Sequence, residues 1–135
     1  ISDVEILDNQ AREFSSLEPD WPAAKIRLSK IMAALLSRGS EISLILREDK
    51  RKHNKIFIEN IKELKQQYPE HLKIAWDENE HNKAILGDDF LLNGSMNLTY
   101  YGITINGENI YLTTDSSAIE LWRINALNRW NEKLE

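Results

Sequence analysis

A mixed α/β fold, with a mixed β-sheet flanked by helices, is the architecture this sequence predicts. Three observations predict it. Apolar runs of strand length, Ile42–Leu46 and Leu72–Trp76, alternate with longer segments whose apolar residues recur at helical spacing. A Gly87-Asp88-Asp89 turn separates two further apolar runs in the manner of a hairpin. Hydrophobic residues make up 41% of the 135 residues, enough for a real core in one domain. Strands alternating with helices then require a sheet covered by helices.

The elements follow in order. Val4-Glu5-Ile6-Leu7 reads as a short strand. Residues 8 to 22 are rich in turn formers and lack periodicity, so they read as a loop. Trp21-Pro22 then opens a helix, with Asp20 as cap and Pro22 in the first turn. Ile26, Ile31, Leu35 and Leu36 form its apolar stripe, and Gly39 ends it. Ile42–Leu46 is a buried strand. A second helix runs from Asn54 to Gln67, with Ile58, Ile61 and Leu64 on one face and Tyr68-Pro69 as terminator. Leu72–Trp76 is the next strand. Lys83–Leu86 and Phe90–Leu92 form the hairpin, and Glu108–Thr113 is a further strand. Asp115 or Ser116 caps a last helix carrying Ile119, Leu121, Trp122, Leu127 and Trp130. Trp122 and Trp130 read as core or dimer contacts.

Composition narrows the function. Lys and Arg number 17 against 22 Asp and Glu, a net charge of −5. That excludes a general nucleic-acid coat. A local basic patch can still act, because screening at physiological salt reaches only about 8 Å. Arg47, Lys50, Arg51 and Lys52 supply one, and they are the candidate contacts to a nucleic-acid backbone. Cysteine is absent, which rules out a disulfide framework and thiolate metal sites. Together with the lack of a signal-peptide pattern, this suits the cytoplasm. No apolar run approaches the ~18 residues needed to span a bilayer. The chain starts at Ile1, and it is expected to be one domain, 1–135, of a longer protein.

Chemistry concentrates in His81-Asn82-Lys83-Ala84-Ile85-Leu86-Gly87-Asp88 and in Gly94-Ser95-Met96-Asn97. A phosphate-handling site needs a nucleophile, a cation and small polar donors close together. His81 and Lys83 are two apart, so in extended chain they share a face. Gly94 and Ser95 bring bare backbone and a hydroxyl, and Asn97 adds an amide. An isolated His-x-Lys is ordinarily surface decoration; the full set is not. Asp77, Glu78, Glu80 and His81 are packed too closely in sequence for standard metal-ligand spacing, so neither metal nor cofactor is expected.

At these residues the chain resembles the phospholipase D superfamily, whose signature is His-x-Lys, four residues, Asp, then about six residues to Gly-Gly/Ser-x-Asn. Here five residues separate Asp88 from Gly94. Asn106-Gly107-Glu108-Asn109 and the closing Asn128-Arg129-Trp130-Asn131 are similar to the small single-motif bacterial nucleases that resist EDTA. The resemblance implies a metal-independent phosphodiesterase, an endonuclease acting on DNA more readily than RNA, with no membrane partner. It implies a homodimer, because one chain carries one motif. His81 would be the nucleophile, and Lys83, Ser95 and Asn97 would hold phosphate. Glu108 would orient the histidine, while Asp88 and Gly94 would shape the hairpin. The shortened N-terminal region suggests an effector domain, for instance in a restriction or defence protein. A lipid phosphodiesterase of the same chemistry and a non-catalytic dimerisation module are the alternatives.

Overall fold

The computed structural model describes residues 1–47 and 54–135. Lys50, Arg51 and Lys52 of the basic patch therefore lie outside the described residues. The fold class is the expected α/β, with the strands distributed over three small sheets. The chain divides into two compact units. One comprises Ile1–Ile42 and Asp49–Lys73, the other Ser43–Glu48 and Ile74–Glu135.

In the first unit, β1 (Glu5–Asp8) pairs antiparallel with β2 (Lys25–Arg27). Helix α1 (Leu28–Ser37) follows directly. The helix expected from Pro22 with an Asp20 cap is thus corrected. Its first residues are a strand, and Ile26 is buried from that strand. The cap comes from far away in sequence. Asp3 accepts from the Ser29 backbone N–H at 2.9 Å and from the Ser29 hydroxyl at 2.8 Å. A carboxylate there satisfies one free N–H of the first turn and complements the helix dipole. Asn60 of α2 (Lys55–Gln67) donates to the same carboxylate at 2.9 Å. At its other end α1 closes as expected on Gly39. The φ of Gly39 is +85°, and the N–H groups of Gly39 and Ser40 bond to Leu36 and Leu35 carbonyls, a Schellman closure that favours glycine. Val4, Ile26, Met32, Leu36, Phe57, Ile61, Leu64 and Leu72 form this unit's core. Each fully buried aliphatic or aromatic side chain among them is worth roughly 1.5–3 kcal/mol of transfer free energy.

In β3 (Ile42–Leu46) and β4 (Leu72–Trp76), the pairing runs in one direction. Ile42 N–H bonds to His71 O, and Asp77 N–H bonds to Leu46 O. Both lie where the apolar runs placed them, and α2 makes the crossover that a parallel pair needs. The second unit adds β5 (Ala84–Leu86), β6 (Leu91–Gly94) and β7 (Ile110–Thr113), an antiparallel sheet in the order β5-β6-β7. Between β6 and β7 lies a short helix, α3 (Tyr100–Thr104), capped by the Thr99 hydroxyl. The last helix, α4 (Ser116–Trp130), is capped by Asp115, which accepts from Ala118 N–H at 2.9 Å. Ile119 and Trp130 are its buried anchors, whereas Leu121, Ile124 and Leu127 are exposed.

Candidate active site

The pairing register brings the motif together. Ala84 lies opposite Asn93, and Gly94 lies opposite Ile110. The start of β5, the end of β6 and the start of β7 therefore form one edge of the three-stranded sheet. His81 and Lys83 lead into that edge, Gly94 and Ser95 leave it, and Glu108 returns to it. Two backbone bonds tie the three segments: Gly94 N–H to Lys83 O at 3.3 Å, and Ser95 N–H to Asn109 O at 3.0 Å. The hairpin with five residues between Asp88 and Gly94 is in regular register, with Leu86 opposite Leu91.

Gly94 is required by geometry. Its φ is +154°, and a Cβ there would lie 2.0 Å from the Asn109 carbonyl oxygen and 2.9 Å from its carbon. No side chain fits between two backbones that close. The absence of one lets β7 approach, and so carries Glu108 to Ser95. The Ser95 hydroxyl donates to Glu108 Oε2 and accepts from Asn109 N–H at 3.0 Å. Asn106 donates to Glu108 Oε1 at 3.4 Å. Among the described residues, Glu108 makes no bond to His81; both its oxygens have other partners.

His81 is exposed, and its Nδ1 lies 3.4 Å from Arg47 Nη1 at the end of β3. Guanidinium can only donate, so the contact is a hydrogen bond only in the tautomer whose Nδ1 carries no proton. Lys83 folds back to donate its Nζ to the His81 carbonyl. Asn97 sits in the exposed loop after Ser95, and its carbonyl accepts from Thr99 N–H at 2.8 Å. Gly102 makes that turn possible, since a Cβ there would meet Asn97 O at 2.2 Å. Asp88 is exposed at the turn on the far edge of the sheet. Arg123 of α4 donates to the Gly87 carbonyl at 3.0 Å and to the Asp88 carbonyl at 3.4 Å.

Below His81 is a cluster that sequence reasoning did not assemble. Asp77 and Glu80 are buried. Asp77 Oδ2 accepts from the Trp130 indole N–H at 3.1 Å and from Lys133 Nζ at 3.4 Å, and Asp77 Oδ1 accepts from Asn79 N–H at 3.0 Å. Trp130 above all, then Asn79, with a further contribution from Lys133, hold the Asp77 carboxyl below its ordinary range, against the opposing effect of burial. Arg129 Nη2 lies 3.5 Å from Glu80 Oε2 and 3.8 Å from Asp77 Oδ2. Glu80 Oε1 accepts from the Asn82 N–H, beside His81. The only sequence signal was the closing Asn-Arg-Trp. Among the described residues, no group of three His, Asp or Glu side chains could hold a metal ion, and no helix is long and apolar enough to cross a membrane.

A family model described as "Cardiolipin synthase, PLD-like domain" matches residues 13–130. No curated protein matches the chain. Among solved structures, a phospholipase D family member, Nuc from Salmonella typhimurium, is similar over 78% of this chain and 71% of its own, at 23% identity and a TM-score of 0.59. That likeness extends the agreement to the fold. With the family model spanning most of its length and the motif segments meeting at one sheet edge, the chain belongs to the phospholipase D-like family.

Proposed function

We propose that this protein is a metal-independent phosphodiesterase that cleaves nucleic acid, DNA in preference to RNA, at a site shared by two copies of the chain. One observation carries the reading: antiparallel register brings the segments bearing His81, Lys83, Ser95 and Glu108 to one sheet edge. A neutral imidazole nitrogen of His81 attacks phosphorus, and the bond from phosphorus to the leaving oxygen breaks. His81 of the partner subunit gives that oxygen its proton. Water then attacks the phosphohistidine and yields its proton to the same partner imidazole, and the P–N bond breaks. Lys83, Ser95 and Asn97 stabilise charge on the non-bridging oxygens. Glu108 holds the Ser95 hydroxyl and, in the assembled dimer, orients a histidine. Such reactions demand on the order of 20 kcal/mol of barrier lowering, and two histidines at one phosphate would supply both a nucleophile and an acid toward it. The exposed apolar residues of the second unit, Tyr111, Leu112, Leu121 and Leu127, support an interface with another copy.

Incubation with DNA and RNA in excess EDTA tests the proposal. Wild type should cleave, and His81→Ala should lose activity by several orders of magnitude. Cleavage by neither protein, or equal cleavage by both, would refute it. The matching family model's description supports a second reading, phosphodiester chemistry on a lipid headgroup. Release of glycerol or headgroup from cardiolipin or phosphatidylcholine vesicles, with nucleic acid untouched, would select that reading.

A further inference from the structure

The segment that carries His81 and Lys83 has no regular secondary structure between β4 and β5. Its backbone groups must therefore find partners outside a ladder. They find them on two backbone carbonyls and two buried carboxylates. Asp77 N–H is held by the Leu46 carbonyl, Asp77 Oδ1 takes the Asn79 N–H, and Glu80 N–H returns to the Asp77 carbonyl. Glu80 Oε1 then takes the Asn82 N–H, the peptide next to His81. Buried carboxylates are tolerated only with partners, and here every side-chain partner comes from the end of α4 and the turn that follows it. Trp130 and Lys133 serve Asp77. Arg129 reaches Glu80 Oε2, an atom with no hydrogen bond of its own.

We propose that Arg129 and Glu80 form a positioning pair for the active site: the end of α4 fixes Glu80, and Glu80 fixes the peptide that aims His81. This rests on reading His81 as the reacting group. Neither residue touches substrate. Without Arg129, Glu80 Oε2 is a buried anion with no counter-charge, so the carboxylate turns toward water and releases the Asn82 N–H. The His81 ring then loses its fixed origin. A misplacement near 1 Å costs about 100-fold in rate when groups must meet in line.

Arg129 is 45% exposed, so trimming it opens no core. The dimer should be assayed as wild type, Arg129→Ala, Arg129→Lys and Glu80→Gln, with kcat and KM measured on DNA in EDTA. Arg129→Ala should lower kcat roughly 10- to 100-fold with KM within about twofold. Arg129→Lys, which keeps the charge, should recover most of the loss. Glu80→Gln added to Arg129→Ala should cost little more than either alone, the signature of one coupled unit. A second readout needs no activity. Imidazole NMR signals of His81, assigned with His81→Ala, should move in Arg129→Ala and Glu80→Gln, while those of His71 stay. Unmoved His81 signals overturn the proposal, as does a rise in KM with kcat intact, which would make Arg129 a substrate contact. If wild type cleaves nothing, the nuclease reading fails on its own, and the NMR signals alone decide the positioning role.

Discussion

Gly94 shows how one residue can decide a site. Its backbone lies where a methyl group would collide with the Asn109 carbonyl, so alanine there must push β7 away or twist β6. Gly94→Ala should lower unfolding free energy by more than about 1 kcal/mol, the scale expected when alanine is forced into a positive-φ position. It should also weaken the bond between Ser95 and Glu108. Urea denaturation checks the first expectation, and a loss of stability under a few tenths of a kcal/mol would contradict it. Spacing alone singles out Gly94 and Ser95, which lie beside β7 and Glu108 in the structure. The Arg47–His81 contact was not legible in the sequence. Those residues are 34 positions apart, and nothing local in either segment predicts that a strand end delivers a guanidinium to the imidazole.

At the scale of elements, long periodic segments were readable and short ones were not. β3, α2, β4 and the capped α4 lie where their patterns placed them. The three-residue β2 and the five-residue α3 are too short to display a period. Their form comes from pairing with β1 and from the Thr99 cap. The start of α1 leaves no local signal, because its capping carboxylate, Asp3, is remote in sequence. The cap of α4 is local, and it can be tested locally. Asp115→Ala should destabilise the protein by about 1 kcal/mol, measured as a shift in the denaturation midpoint with unchanged slope. An unchanged midpoint would mean that the anchors Ile119 and Trp130 hold the helix without its cap.

For the molecule as a whole, charge and surface point in different directions. A net charge of −5 opposes nucleic acid at long range, so the proposed recognition of nucleic acid has to be local and sensitive to salt. The apolar side chains exposed on β7 and α4 point instead to a protein partner, which the proposed chemistry identifies as a second copy. Sedimentation velocity at assay concentrations should give twice the 15.7 kDa of one chain. A monomer that retains full activity would remove the need for a shared site. Composition excluded whole classes of function, but it could not predict division into two compact units. That division depends on contacts between segments far apart in sequence, with the first unit built from 1–42 and 49–73.

The β5-β6-β7 sheet has one further consequence. The segments bearing His81, Lys83 and Ser95 meet at one end of the β5-β6 hairpin, and the Gly87–Phe90 turn occupies the other, about 10 Å away at strand rise. Asp89 is exposed on that turn. The protein thus carries a natural handle, a place where a dye or surface tether could be attached through a cysteine introduced into a chain that has none. A label placed there would sit at the opposite end of the β5-β6 hairpin from the segments bearing His81, Lys83 and Ser95.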